Sequence, residues 1–131
     1  MNIYFILPAM LFMHVLDDYV LQAPCLCNLK QKSFWEKNAP DLLYSQDYLV
    51  ALIMHGISWA FSVMLPIAIF KGFNVDINFV LLFGINAAFH AAVDDLKANK
   101  KAINLWQDQG YHMMQIAVIF SYYAFVEAPL C

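Results

Sequence analysis

The sequence predicts an all-α integral membrane protein, a single domain over residues 1–131 built as a bundle of four transmembrane helices. Two observations carry this prediction. Hydrophobic residues make up 63% of the chain and charged residues only 13%, far from the composition of soluble domains. The charged residues also gather in short segments between long apolar stretches, whereas a soluble helix carries them along its exposed face. The chain is therefore expected to fold in lipid.

Four apolar stretches are long enough, or nearly so, to cross a bilayer, which takes roughly 20 helical residues for a hydrocarbon core of about 30 Å. Pro24 cannot continue a helix and marks the end of the first stretch. Pro66 lies inside the second stretch, where a membrane helix tolerates it with a kink. The predicted spans are Asn2–Gln22, Tyr48–Phe70, Asp76–Leu96 and Gly110–Glu127.

The lysines between the predicted spans set the orientation, because short loops rich in Lys stay on the cytoplasmic side. Loops one and three hold three lysines each, loop two holds one and the tails hold none, which predicts an N-out, C-out topology. Phe34 and Trp35 lie among the lysines of the first loop and predict a short interfacial helix there. The lysines are Lys30, Lys32 and Lys37 in loop one, Lys71 in loop two, and Lys97, Lys100 and Lys101 in loop three.

Histidines and carboxylates are paired along the predicted spans at a spacing of four residues. On a helix, residues i and i+4 stand on one face one turn apart, so each pair offers two ligands in one direction. His55 stands alone on the second span, and Gln22 extends the first polar face by another turn. The pairs are His14 with Asp18, His90 with Asp94, and Asp108 with His112.

An up-down-up-down bundle would bring these pairs and His55 to one level near the cytoplasmic side, and bundle cores are where such side chains build metal sites. Imidazole together with carboxylate suits one or two divalent transition metal ions, namely zinc, manganese or iron. Asp17 and Asp95 point about 100° away from Asp18 and Asp94. We expect Asp17 and Asp95 to be solvated or to stand behind the ligands.

These ordered motifs resemble an uncharacterised family of small bacterial and phage inner-membrane proteins, a domain of unknown function, over most of the chain. Its elements are His-x3-Asp-aromatic-x-Leu-Gln, His-Gly, His-x3-Asp-x2-Lys and Asp-Gln-x2-His. The family often has a further histidine where this chain has Tyr44–Gln46. The resemblance implies a four-helix fold in the bacterial inner (cytoplasmic) membrane and a shared site, without an established reaction. The matching residues are His14, Asp18, Tyr19, Leu21 and Gln22, then His55 and Gly56, then His90, Asp94 and Lys97, and last Asp108, Gln109 and His112.

The function that these features predict is a membrane-embedded, metal-dependent hydrolase open to the cytoplasmic leaflet, with a phosphoester or a lipid headgroup as substrate. A bound metal lowers the pKa of its water so that hydroxide attacks at neutral pH. Asp108 and His55 are candidates for the catalytic base or for a supporting role. The expected metal ligands are His14, Asp18, His90, Asp94 and His112, while Gln22, Lys97 and Gln109 are expected to support them or to contact substrate.

Three other functions stay open. The same residues fit the transport or binding of a metal ion or protons, although polar residues in the outer half are few. A non-catalytic phage or bacterial protein that binds or inhibits a partner membrane complex would use the polar cluster only for stability. Partners expected in general are membrane lipid, another membrane protein or a second copy of the chain. A haem-binding electron carrier is the third alternative. Nucleic-acid binding is excluded, because the net charge is -3 and the sequence contains no Arg.

Overall fold

The computed structural model describes residues 3–22 and 24–127, and all regular secondary structure in this part of the chain is helical. The prediction of an all-α fold is confirmed. In chain order the elements are α1 (Ile3–Leu16) with a π-helical end (Asp17–Leu21), α2 (Pro24–Leu29), α3 (Lys32–Asn38), a 3-10 turn (Leu42–Tyr44), α4 (Asp47–Phe70), α5 (Ile77–Ala98), and α6 (Leu105–Tyr122) with a second π-helical end (Tyr123–Glu127).

Three helical stretches are long and apolar enough to cross a membrane, namely Ile3–Leu21, Leu42–Phe70 and Ile77–Ala98. The first three predicted spans therefore correspond to observed helices, although the predicted first residue, Asn2, lies outside the described residues. Helix α6 is not among the three, because glutamine and histidine residues lower the hydropathy of its first half. The fourth transmembrane span stays a prediction.

Helix α6 begins at Leu105, five residues before the predicted start at Gly110. Asn104 caps it, because its side chain accepts from the backbone N–H of Gln107 at 3.0 Å. The side chain of Gln107 accepts in return from the backbone N–H of Asn104 at 3.0 Å, which completes a capping box. The cap adds a turn that holds Asp108 on the helix rather than in the preceding loop.

Asp76 caps α5 in a similar way. Its side chain accepts from the backbone N–H of Phe79 at 2.8 Å and from the ammonium of Lys71 at 2.5 Å. The hydrogen bond from Lys71 holds the pKa of Asp76 below its usual value, and the bond from Phe79 acts in the same direction. The cap fixes the first residue of α5. It thereby sets which residues of α5 lie at the opposite end of the bundle.

The four long helices form a closed ring in which each packs against two others: α1 contacts α4 and α6, and α5 contacts the same two helices. The approach of α4 to α5 is very close at Gly56, where an added Cβ would lie 2.5 Å from the carbonyl oxygen of Ala87. Only glycine allows the two backbones to come together at this point. Gly56 directly follows His55, so the close approach also fixes the position of that histidine.

One half of the bundle interior is filled by an apolar core that all four long helices share. Among the buried core residues, only Trp59 has a nitrogen atom in its side chain. Trp59 lies at the edge of the core that faces the histidines. Most of the buried polar side chains in the described part of the chain lie toward the opposite end of the bundle. The buried core residues are Ile6, Met10, Trp59, Val63, Met64, Ile67, Ala68, Phe79, Ile116, Ile119 and Tyr123.

The first loop folds into two short helices, α2 and α3, where the sequence predicted one interfacial helix. The side chain of Asn99 fastens this loop to the end of α5, because it donates to the carbonyl of Lys30 at 3.0 Å and accepts from the N–H of Lys32 at 2.7 Å. Trp35 adds a bond from its indole N–H to the carbonyl of Leu29 at 2.8 Å. The loop is thereby held over the polar end of the bundle.

Candidate metal centre

All four histidines lie inside the bundle, at the end where α1 and α5 finish and where α4 and α6 begin. Each histidine is at most 2% exposed, and Asp18, Asp94 and Asp108 lie among them. Because these helix ends meet at one level, neighbours in the ring run in opposite directions. The structure thus brings together the histidines and carboxylates that the sequence analysis singled out: His14, Asp18, His55, His90, Asp94, Asp108 and His112.

The first group of potential ligands joins three helices. The Oδ1 atom of Asp18, at the end of α1, lies 3.5 Å from the Nε2 atom of His55 on α4. The same oxygen lies 4.0 Å from the Nε2 atom of His90 on α5. One nitrogen or oxygen from each of these residues lies within 4.8 Å of the other two. An ion among them would be held by two imidazoles and one carboxylate.

The second group shares His90 with the first. The Oδ1 atom of Asp94 lies 3.8 Å from the Nε2 atom of His90 and 3.6 Å from the Nε2 atom of His112. The His90 and His112 rings stack with their centroids 4.2 Å apart. The other oxygen of Asp94 lies 3.6 Å from the Nε2 atom of His55, which links this group to the first. The two groups therefore form one continuous cluster.

Several buried atoms of this cluster have no hydrogen-bond partner among the described residues. They are both ring nitrogens of His90, both ring nitrogens of His112, and one oxygen each of Asp18 and Asp108. A buried polar atom without a partner costs about 1–3 kcal/mol, so native proteins keep few of them without a bound ion or water. Tetrahedral coordination at about 2.0–2.1 Å places neighbouring ligand atoms about 3.3–3.4 Å apart. The observed separations of 3.5–4.0 Å need only a small contraction, so these groups could hold a metal ion.

His14 differs from the other histidines, because both of its nitrogens are hydrogen-bonded. Its Nδ1 atom accepts from the indole N–H of Trp59 at 2.8 Å, and its Nε2 atom donates to the Oε1 atom of Gln109 at 3.1 Å. One neutral tautomer satisfies both bonds and leaves no lone pair for a metal. His14 also lies outside both ligand groups. In this arrangement it joins α1, α4 and α6 rather than coordinating an ion.

Asp17 is only 1% exposed and its carboxylate points into the bundle, so it is not a solvated group. Its Oδ1 atom accepts from the hydroxyls of Ser58 at 2.9 Å and Ser62 at 3.0 Å. Its Oδ2 atom lies 3.7 Å from the Nδ1 atom of His55. The helix widens into a π-helix at Asp17, and the wider turn brings both Asp17 and Asp18 to the interior.

Gln22 contacts His55 from the other side. Its side-chain amide donates to the Nε2 atom of His55 at 3.0 Å. With Asp17 beside Nδ1, this bond favours the tautomer in which Nδ1 carries the proton. In this arrangement the Nε2 lone pair of His55 accepts from Gln22 and lies 3.5–3.6 Å from Asp18 and Asp94, so an ion bound there would displace the Gln22 amide.

Two lysines approach the carboxylates from the mouth of the site. Lys30 is buried, and its ammonium donates to the Oδ2 atom of Asp94 at 2.5 Å. Lys97 donates to the Oδ2 atom of Asp108 at 2.7 Å, and the amide of Gln109 donates to the same oxygen at 3.1 Å. Lys30 and Lys97 each bond to the Oδ2 atom of one carboxylate. The Oδ1 atoms of the same two carboxylates, Asp94 and Asp108, face His112.

Sequence reasoning missed the roles of Trp59 and Lys30, and it left Asp17 open between a solvated group and one that stands behind the ligands. Trp59 had a usable signal, since it follows His55 by four residues and so stands on the same helical face; its ring stacks on that of His90 with centroids 4.3 Å apart. Asp17 had no such signal, because a regular α-helix directs it away from Asp18. Lys30 lies in a loop, and its contact with Asp94 depends on how the loop packs.

Comparisons with protein-family models, with curated proteins and with solved structures give no match to this chain, so the resemblance stated from the motifs stays a prediction.

Proposed function

We propose that this chain is a membrane-embedded, divalent-metal-dependent hydrolase whose site opens toward the cytoplasmic leaflet and acts on a phosphoester or a lipid headgroup. The observation that carries the proposal is the set of buried ring nitrogens and carboxylate oxygens of Asp18, His55, His90, Asp94 and His112 that face one another at 3.5–4.0 Å. Most of these atoms lack another partner among the described residues, which is what an ion-binding cluster requires.

The charge of the cluster supports a divalent ion. The carboxylates at the buried end of the bundle outnumber the ammonium groups by two, and this difference is balanced either by a bound cation or by protonated imidazoles. Uncompensated charge is costly in the low dielectric of a bundle interior, and one divalent cation would cancel it. The groups counted are the carboxylates of Asp17, Asp18, Asp94 and Asp108 and the ammonium groups of Lys30 and Lys97.

Among the predicted catalytic groups, Asp108 is the better candidate for the general base. One of its oxygens is bonded to Lys97 and Gln109, while the other is buried without a partner 3.5 Å from the Nε2 atom of His112. A carboxylate oxygen so placed can accept a proton from a water at the cluster. His55 instead belongs to a ligand group. A metal bound there would supply a nucleophilic water and polarise the phosphoryl oxygen.

The apolar core favours hydrolysis over transport. A polar pair, Asn86 and Gln115, lies about one helical turn past His90 and His112, and the Gln115 amide donates to the backbone carbonyl of Asn86 at 2.7 Å. Beyond this level the interior is filled by the apolar core. A conduction path needs polar groups or water to continue across the bundle. A pocket open at one end serves a hydrolase better than a transporter.

The proposal includes the membrane topology. Helix α6 forms the fourth span with its polar half at the site, the lysine-rich first and third loops lie in the cytoplasm, and both termini lie outside. The host membrane is the inner membrane of a bacterium, in keeping with the family resemblance. The substrate then reaches the site from the cytoplasm or the inner leaflet.

Metal analysis of the detergent-purified protein tests the proposal. The wild-type chain should carry about one divalent ion, and His90→Ala should abolish bound metal, because His90 belongs to both ligand groups. The folded helical content should persist, as measured by circular dichroism. A phosphatase assay with a soluble phosphate monoester should show activity that is lost in His90→Ala.

Asp94 and its neighbour Asp95 offer a matched control. Asp94→Asn removes a charge from the cluster, whereas Asp95→Asn removes one from a carboxylate that pairs with Asn99 and Lys100 instead. Only Asp94→Asn should lower metal content and activity. Metal content that is unchanged in His90→Ala and Asp94→Asn would overturn the proposed function.

A further inference from the structure

Two connected cavities lead from the surface to the histidine cluster. The outer cavity, which we call the vestibule, has a volume of about 300 Å³. The inner chamber, of about 100 Å³, reaches Asp18 and His55. The two cavities share four of their lining residues, namely Gln22, Lys30, Asp94 and Lys97. We call these four residues the collar. Anything that reaches the cluster by this route passes two ammonium groups.

We infer that the collar is an anion site that binds the phosphoryl group of the substrate, with Lys30 and Lys97 as its two cationic contacts. The inference rests on the proposed function, and it adds the chemical group that the site recognises and the residues that recognise it. Lys30 was not predicted as a site residue, yet its buried ammonium lines both cavities.

The ammonium groups of Lys30 and Lys97 have N–H donors that no residue described in the structure uses. An ammonium group has three N–H donors. Among the described residues, Lys30 uses one donor on Asp94 and Lys97 uses one on Asp108. The remaining donors are available to phosphoryl oxygens, for which lysine acts as a mobile point charge. Amide groups of Gln22 and Gln31 also line the vestibule.

Charge and size favour a small phosphate group over other ligands. A divalent ion brings the net charge of the four carboxylates and the two ammonium groups to zero, so an incoming anion meets no net repulsion and can contact the ammonium groups locally. Ligand pockets commonly have volumes of about 300–1,000 Å³, and the vestibule lies at the small end of this range. A phosphate monoester headgroup suits this space better than a nucleotide or a peptide.

Phosphate binding to the metal-loaded protein in detergent, measured by calorimetric titration of inorganic phosphate, tests the inference. Lys97→Met should weaken binding about tenfold, the effect of losing one charge-assisted hydrogen bond. Lys30→Met should weaken it by at least as much. Lys37→Met is the matched control, because Lys37 is an exposed lysine of α3 that lines neither cavity. It should leave the affinity unchanged.

Removal of Lys30 leaves Asp94 with a buried charge, so folding and metal content are measured for each variant. Lys97 is 40% exposed, and Asp108 keeps the hydrogen bond from the Gln109 amide when Lys97 is replaced. We therefore expect Lys97→Met to retain the fold, and it decides the question if Lys30→Met does not fold. A protein that loads metal and binds phosphate with wild-type affinity in Lys97→Met overturns the inference and leaves the proposed function standing. A wild-type protein that loads no metal overturns both.

The phosphoryl group has two sources, a membrane lipid or a soluble ester, and a second arm separates them. Metal-loaded protein in phosphatidylcholine vesicles is titrated with inorganic phosphate, with and without phosphatidic acid in the bilayer. Phosphatidic acid that displaces inorganic phosphate identifies a lipid headgroup as the occupant. Phosphate binding that is unaffected by phosphatidic acid identifies a soluble phosphate ester. A failure of phosphate to bind in the vesicles without phosphatidic acid overturns the inference.

Discussion

The Oδ2 atom of Asp17 lies 3.7 Å from the Nδ1 atom of His55, and both residues are almost completely buried. The distance is too long for a hydrogen bond, so the carboxylate acts on the imidazole by its charge. It favours the proton on Nδ1 and leaves Nε2 as the acceptor, which takes the Gln22 amide in this structure and lies 3.5–3.6 Å from Asp18 and Asp94. Carboxylates behind metal-binding histidines commonly orient and strengthen them in this way.

Asp17→Asn should therefore weaken metal binding about 10- to 100-fold without removing a ligand. The amide keeps the size of the side chain but loses the charge that fixes the His55 tautomer. A competition titration with a metal-sensitive dye measures the affinity. Asp47→Asn, in the first turn of α4, is the control and should have no effect. A wild-type metal affinity in Asp17→Asn would show that Asp17 has no role in orienting His55.

Trp59→Phe should destabilise the protein by about 1–3 kcal/mol, because the Nδ1 atom of His14 loses its buried donor while an aromatic ring still fills the space. Chemical unfolding in detergent, followed by circular dichroism, measures the loss. Trp106→Phe is the matched control, since Trp106 is 87% exposed. Equal stabilities of the two variants would mean that the indole bond to His14 contributes nothing.

The sequence was sufficient for the parts of the site that depend on local helical spacing. The pairs at i and i+4 share a face wherever the helix is regular, and the distances of 3.5 Å between His112 and Asp108 and 3.8 Å between His90 and Asp94 follow from that spacing. Asp17 could not be placed, because a π-helical turn depends on tertiary packing rather than on a residue pattern.

In the fold, too, the features that depend on local sequence were predicted and those that depend on tertiary contacts were not. Apolar length predicted the three helical stretches that are long enough to cross a membrane. The start of α6 was placed too late, because the apolar run begins after the capping box of Asn104 and Gln107. The spacing of His14 to Asp18 predicts a ligand, whereas the structure shows its nitrogens hydrogen-bonded to Trp59 and Gln109 on other helices. Such contacts cannot be read from one helix at a time.

Gly56→Ala should destabilise the bundle by about 1–3 kcal/mol, because the new methyl group would lie 2.5 Å from the carbonyl oxygen of Ala87 and force α4 away from α5. It should also lower metal content, since His55 and His90 would move apart. Gly84→Ala is the control, because a Cβ there meets no atom within 4 Å. It should be neutral or stabilise the helix by up to about 1 kcal/mol. Equal unfolding midpoints for the two variants would argue against a close crossing at Gly56.

Removal of the metal should destabilise the folded protein, because the ion binds the assembled cluster and not the unfolded chain. At a free metal concentration about 1,000 times Kd, the loss on chelation is about 4 kcal/mol. Unfolding curves recorded with added metal and with excess chelator measure it. Asp94→Asn supplies the internal control, because it removes a charge from the group that Asp94 forms with His90 and His112. The unfolding curves of this variant with metal and with chelator should nearly coincide. A wild-type protein whose curves also coincide would have its buried carboxylates balanced by protonated imidazoles instead, and the cluster would then serve the stability of the bundle alone.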